Sequence, residues 1–266
     1  MTPQFAAEAL KRLRIQPSVL ASGDRPSVKP TLRLASEQAS LLKLYQLLLD
    51  ESRWGDEDLQ RNASGQLVLP VCFLDGNEKQ RQCVREIAPE WTRGGGANGI
   101  VFEFVSGSSA AVKISFRPDQ GYWSLVGNAA KTDAVADRAT LTLPNLSEDP
   151  TDEHTRFYVL HEFGHVLGLL HEHEHPDAGF QWNVDKIVDD LLHNEFKNRS
   201  RQFVQDWVSQ EITAVYSADY RCDKTMAFDQ HSIMIYPIRP GWANKTTQQG
   251  HALTNGDLVC AHKAYG

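Results

Sequence analysis

The sequence predicts an α+β fold in which a twisted mixed β-sheet carries helices on its faces. Three observations indicate this class. After residue 66 the apolar segments run in the order strand, helix, strand, strand, strand. Several of them alternate apolar and polar residues, as half-buried strands do. Near residue 160 an apolar segment carries histidines four residues apart, the spacing of one helix face.

Composition excludes some classes of partner. The 266 residues include 27 Lys and Arg against 34 Asp and Glu, a net charge of −7, so no nucleic-acid partner is expected. The longest apolar run is too short to span a bilayer, which takes about 20 residues, so no membrane partner is expected either. The basic cluster at residues 11–14 is not followed by an apolar run, so no export signal is expected and the compartment stays open.

The sequence predicts that the chain is divided into two parts. Residues 1–62 are expected to form a helical accessory segment or prosegment, because residues 5–13 and 36–49 show helical apolar spacing around a stretch rich in Pro, Ser and Gly. Residues 63–266 are expected to form the main domain.

The elements of the main domain are predicted from apolar periodicity and from the turn residues that end each segment. In chain order they are a strand over 67–73, a helix over 78–91, and strands over 100–105, 111–116 and 139–146.

A metal-binding pattern lies in the middle of the chain. His161 and His165 are four residues apart on a predicted helix, so both imidazoles can point at one ion. Gly168 can adopt a positive φ and end the helix, which lets His171 approach as a third ligand. Three neutral histidines and one open position are typical of a catalytic zinc site, with one Zn²⁺ per chain. Glu162, beside the first ligand, is placed to act as general base on a bound water.

A second motif follows 63 residues after the third histidine, where Met234 stands within the segment Ser232 to Pro237. A methionine alone is more often core filler than functional. Together with the zinc pattern it completes the signature of a metzincin, in which Met234 would form an apolar floor beneath the imidazoles.

The chain resembles the astacin branch of the metzincin endopeptidases over residues 66–266. Glu172 follows the third histidine as in that branch. The other matching segments are HEHPD at 173–177, SIMIY at 232–236, YWSLVG at 122–127 and the C-terminal segment 253–266.

The resemblance implies a metzincin fold whose active-site cleft lies between an upper lobe, 66–168, and a lower lobe, 169–266. It implies that the histidine triad ligates zinc and that the Tyr236 hydroxyl stabilises the oxyanion. The expected activity is hydrolysis of internal peptide bonds by a monomer, with an extended protein or peptide substrate added to strand 139–146.

Each of these expectations has an alternative. Tyr236 is otherwise a packed core tyrosine, and strand 139–146 an ordinary buried strand. Glu172 in the resembled family anchors a freshly cut N-terminus by an ion pair, and the alternative is a carboxylate that faces solvent. His173 and His175 are expected to be solvated rather than to bind additional metal.

Two departures from the family concern cysteine. Tyr122 stands where the family has a cysteine, and Cys260 lies inside the last helix, so the family disulfides are expected to be absent.

Two rival functions remain at this point. One is a matrixin-like or other metzincin protease, against which Glu172 and Tyr236 argue. The other is a catalytically silent zinc-bearing module that binds proteins, against which the retained base Glu162 argues. Arg201 and Arg239 would favour acidic substrate side chains if they lay near the cleft, but no sequence feature places them there.

Overall fold

The computed structural model describes residues 52–107, 110–118, 121–131, 138–215 and 227–266. The predicted helices of the N-terminal segment, and Cys222, lie outside these residues.

The described residues contain one five-stranded sheet of mixed direction. Its strands are β1 (Leu67–Phe73), β2 (Ile100–Phe104), β3 (Val112–Ser115), β4 (Trp123–Ser124) and β5 (Leu141–Thr142). Their order across the sheet is β2-β1-β3-β5-β4. All neighbours are parallel except β4 and β5, which pair antiparallel, with Trp123 opposite Thr142. The predicted α+β class with a mixed sheet is therefore confirmed.

The strand predicted over 139–146 is shorter and lies elsewhere in the sheet than expected. Only Leu141–Thr142 forms a strand, and it pairs with β3 on one side and β4 on the other. Both residues are buried, so the alternative of an ordinary buried strand is correct here. The outermost strand on this side is β4. It is only two residues long, which is too short for an alternating pattern to reveal it in the sequence.

Five α-helices and three 3₁₀ turns lie in the described ranges. The helices are α1 (Glu78–Ile87), α2 (Glu153–Val166), α3 (Val184–Asn194), α4 (Arg201–Glu211) and α5 (Asn255–Tyr265), and the 3₁₀ turns are Ala88–Thr92, Gly127–Lys131 and Glu172–Glu174.

Helix α1 ends earlier than the predicted residue 91. Asn77 caps its start in a capping box with Gln80. Pro89 cannot donate a backbone hydrogen bond to the preceding turn, so the chain continues beyond Ile87 as a 3₁₀ turn.

Two clusters of buried apolar side chains lie on either side of the candidate site. The larger cluster packs the sheet against α1 and α2, and the smaller one packs α3 against α4. The predicted division at residue 168 is wrong for the C-terminal part, because Met234, Ala261 and Tyr265 belong to the larger cluster. Helix α5 and the methionine segment therefore pack with the upper lobe.

Residues 52–62 take part in the larger cluster. Trp54 is 3% exposed, and its indole N–H donates to the Val166 carbonyl at the end of α2 (2.8 Å). Leu59 is also buried there. Trp54, the first residue of this cluster, lies nine residues before residue 63, where the main domain was predicted to begin.

Cys260 on α5 is disulfide-bonded, which corrects the expectation that disulfides are absent. Cys72 and Cys83 are free and buried. Among the described residues, no helix combines the length and apolar character needed to cross a bilayer.

Candidate metal centre

Helix α2 presents two imidazoles on one face. The ring centres of His161 and His165 lie 4.9 Å apart. The Nδ1 of His161 lies 2.8 Å from the Ile233 carbonyl oxygen, and the Nδ1 of His165 lies 2.8 Å from that of Leu169. Because a carbonyl only accepts, each Nδ1 carries the proton and each Nε2 is the unprotonated nitrogen. Both histidines are therefore held in the tautomer that ligates through Nε2.

The third histidine arrives after a sharp reversal. Gly168 has a φ of +92°, and its N–H donates to the His165 carbonyl as the helix ends. The reversal places the Nε2 of His171 3.1 Å from the Nε2 of His165. The predicted function of Gly168 in turning the chain is thus observed.

The three histidines fit a tetrahedral metal ion. Their ligand nitrogens lie within 4.8 Å of one another. Zinc–nitrogen bonds of about 2.0–2.1 Å in tetrahedral geometry require nitrogens roughly 3.3 Å apart, close to the separation of His165 and His171. A three-nitrogen donor set suits zinc and leaves one position open.

Glu162 lies beside this cluster without a partner of its own. It is 2% exposed, and its Oε2 has no hydrogen bond to any described residue. Burial raises the pKa of its carboxyl well above the ordinary value. A buried carboxylate oxygen without a partner is costly and is typical of a functional group awaiting its ligand.

The segment around Met234 forms the floor of the cluster. Met234 is 2% exposed, and a Cβ placed on Gly164 would lie 2.3 Å from its Sδ and 3.0 Å from the Trp91 ring. Only glycine allows α2 to approach this floor so closely. Met234 therefore packs against the helix that carries His161 and His165.

Asp257 on α5 holds that floor in place. The carboxylate of this buried residue accepts hydrogen bonds from the Ser232 hydroxyl (2.6 Å) and the Ile233 N–H (3.0 Å). Ile233 in turn holds the His161 ring through its carbonyl. Sequence analysis missed Asp257, although the spacing of Thr254 and Asp257, a capping box, was visible.

A cavity of about 590 Å³ opens beside His161 and Glu162. It is lined mainly by aromatic and apolar side chains from both clusters. Besides His161 and Glu162, the lining includes Tyr122, Phe157, Tyr158, Leu191, Trp207, Tyr236, Arg239 and Trp242.

Tyr236 lines this cavity, and its ring centre lies 5.6 Å from that of His171. Its hydroxyl has no hydrogen bond within the described ranges, and burial raises its pKa above the ordinary value. The phenol therefore stays protonated at neutral pH and can donate.

The two arginines considered in the sequence analysis lie in different places. Arg239 lines the cavity, pairs with Glu195 at 2.6 Å and stacks over Trp242. Arg201 instead bonds Asp185 and Asp189 outside the lining.

Two expectations about neighbouring residues are wrong. Glu172 does not face solvent: its carboxylate accepts the Asp229 N–H (2.8 Å), and burial raises its pKa to about 7. His173 is 2% exposed rather than solvated, with Nε2 3.2 Å from the Glu211 carbonyl oxygen. His173 and Glu174 also lie within metal-ligand reach of His171, but this group shares His171 with the triad.

These features define a class before any comparison: an α+β fold with a three-histidine metal site, a buried carboxylate and a methionine floor. No protein-family model matches the sequence, and no curated protein matches it either.

Solved structures do match. A structure of myroilysin is 24% identical, with a TM-score of 0.67 over 82% of this chain and 97% of the other. High choriolytic enzyme 1, a hatching enzyme zinc-protease from medaka fish (Oryzias latipes), is 16% identical, with a TM-score of 0.50 over 80% of this chain and 96% of the other. The predicted resemblance to astacin-like metzincins is thus confirmed for the fold.

Proposed function

We propose that the protein is a zinc-dependent endopeptidase that hydrolyses internal peptide bonds. The observation that carries this proposal is the convergence of His161, His165 and His171 beside the unpartnered oxygen of Glu162, at the wall of one cavity. The fold shared with a zinc-protease supports it.

The three imidazoles hold the ion, which when bound supplies Lewis-acid activation of a water molecule and of the substrate carbonyl. Glu162 takes the proton of the attacking water at its free Oε2 and delivers it to the leaving amine.

The Tyr236 hydroxyl donates a hydrogen bond to the oxygen on which negative charge develops. The substrate is an extended peptide that pairs with the outer edge of β4, because the inner edge of that strand is already bonded to β5. The enzyme works as a monomer with one zinc per chain.

Substitution of the base tests the proposal. Glu162→Gln should keep zinc, because it changes no ligand, and should lose activity on casein by about 10²- to 10⁴-fold, the usual contribution of a general base. Glu153→Gln is the matched control, since it makes the same change on the exposed first turn of the same helix.

Two outcomes would contradict the proposal. Casein degradation that survives complete removal of metal would exclude metal-dependent catalysis. A wild-type chain that binds zinc but cleaves neither casein nor gelatin would support the silent binding module instead.

A further inference from the structure

Tyr122 and Tyr236 both line the cavity, and the proposed mechanism uses only Tyr236. Tyr236 comes from the segment after the methionine floor, whereas Tyr122 immediately precedes β4, at the edge of the sheet. Tyr122 occupies the position at which the sequence departs from the resembled family, which has a cysteine there.

The Tyr122 ring is held firmly by its neighbours. It stacks face to face on Tyr158, with ring centres 3.4 Å apart and planes 11° apart, and His154 packs edge-on at 5.6 Å. Tyr158 lies on α2, nearly one turn before the ligand His161. The ring position is thus coupled to the helix that carries the metal site.

The Tyr122 hydroxyl has no hydrogen-bond partner among the described residues, whereas the Tyr158 hydroxyl is engaged by Gln249. Burial, together with Tyr158, Asp152 and Glu162 nearby, raises the pKa of Tyr122 above its ordinary value, so the group is a protonated donor. Tyr122 lines the cavity, so a ligand in the cavity can supply the acceptor.

We propose that Tyr122 is a substrate-binding residue whose O–H donates to a main-chain carbonyl oxygen of the peptide lying along β4. This inference rests on the proposed endopeptidase function. A peptide paired with an edge strand presents carbonyl groups at regular spacing next to that strand. The neighbouring Glu162 disfavours a carboxylate as the acceptor and favours an uncharged carbonyl.

The kinetic effect should differ from that of Tyr236. The peptide carbonyl bonded to Tyr122 is not the one under attack, so the contact is equally strong in the bound substrate and in the transition state. Loss of such uniform binding raises KM and leaves kcat unchanged.

The test is Tyr122→Phe, which keeps the stacked ring and removes the hydroxyl. We expect KM for a quenched fluorogenic peptide to rise about 3- to 10-fold, the range for one neutral hydrogen bond, with kcat unchanged. Tyr265→Phe is the control: it removes a buried hydroxyl that donates to Leu167 outside the cavity lining, so Tm should fall without a change in KM. An unchanged KM in Tyr122→Phe, or a fall in kcat alone, would overturn the inference.

A binding measurement separates this inference from the proposed function. Fluorescein-labelled casein is titrated with zinc-loaded Glu162→Gln, with and without Tyr122→Phe, and binding is followed by anisotropy. A 3- to 10-fold weaker Kd supports the Tyr122 contact even if the wild type proves inactive. An equal Kd overturns it even if the wild type is a protease, and absence of any casein binding overturns both.

Discussion

At the scale of single residues, the site depends on groups whose partners are fixed by the backbone. The tautomers of His161 and His165 are set by carbonyl groups, and the free oxygen of Glu162 is set by burial. The proposed reactivity depends on a few atoms of these side chains, so single substitutions test it directly.

Tyr236→Phe should lower kcat by about 10²- to 10³-fold with little change in KM, because the phenol contact forms as charge develops on the oxyanion. Steady-state kinetics measures both constants, and metal analysis should show that zinc remains, since three imidazoles hold it. An unchanged kcat would make Tyr236 a packing residue, the alternative left open by the sequence. Loss of zinc would make it a structural ligand.

Gly164→Ala should destabilise the fold by about 1–3 kcal/mol, the usual cost of overpacking. The added methyl group would meet the Met234 sulfur and the Trp91 ring, both buried, and this outweighs the better helix propensity of alanine, about 1 kcal/mol. Urea denaturation measures the change. In a Met234→Ala background the same substitution should cost less, because the sulfur is gone. Equal costs in both backgrounds would contradict the close contact.

At the scale of elements, helix α2 is the frame of the site, and both of its ends are tied down. Asp152 caps its start by accepting the Thr155 N–H, and Trp54 binds the Val166 carbonyl at its end. The second contact comes from a segment that the sequence assigned to the accessory part.

A pair of truncations tests where the domain begins. Removal of residues 1–62 should lower the free energy of unfolding more than removal of residues 1–51, by about 3–5 kcal/mol, the usual cost of losing a buried tryptophan. Trp54 and Leu59 are lost only in the longer truncation. Denaturant unfolding of both chains measures the difference, and Trp54→Ala in the full chain should change stability in the same direction. Equal stability would support the boundary predicted at residue 62.

At the scale of the whole molecule, the metal site joins distant parts of the chain. His161 is bonded to Ile233, and Glu172, next to the third ligand, donates its N–H to the Met234 carbonyl. A metal that binds only this folded arrangement stabilises the whole fold.

Removal of zinc by a chelator should therefore lower Tm. At a free zinc concentration of 100 times Kd the stabilisation is about 2.7 kcal/mol, and it should return when zinc is added back. Calorimetry measures the shift. Glu162→Gln should show the same shift because its ligands are intact, whereas His171→Ala should show a much smaller one. A wild-type Tm that is independent of zinc would contradict metal binding at this site.

The local elements were predictable because their causes are local. The strand Leu67–Phe73 was predicted to the residue, since its apolar run and the Asp75-Gly76 turn that ends it are close together in the sequence. The metal triad was predictable for the same reason: helical spacing and one glycine decide where three histidines point.

Other features were decided only by tertiary structure, because they depend on residues far apart in the chain. The edge position of β4, the partial burial of Glu172, the burial of His173 and the support of the Met234 segment by Asp257 all arise from pairing or packing across the fold. A period of two or of 3.6 residues reports which face of an element is apolar, but not which element will cover it. The sequence by itself therefore determined the histidine cluster and the class of the fold, because both follow from local spacing. Only the packed chain determined the strand β4, the Met234 segment and Tyr122, because their places depend on contacts between distant residues.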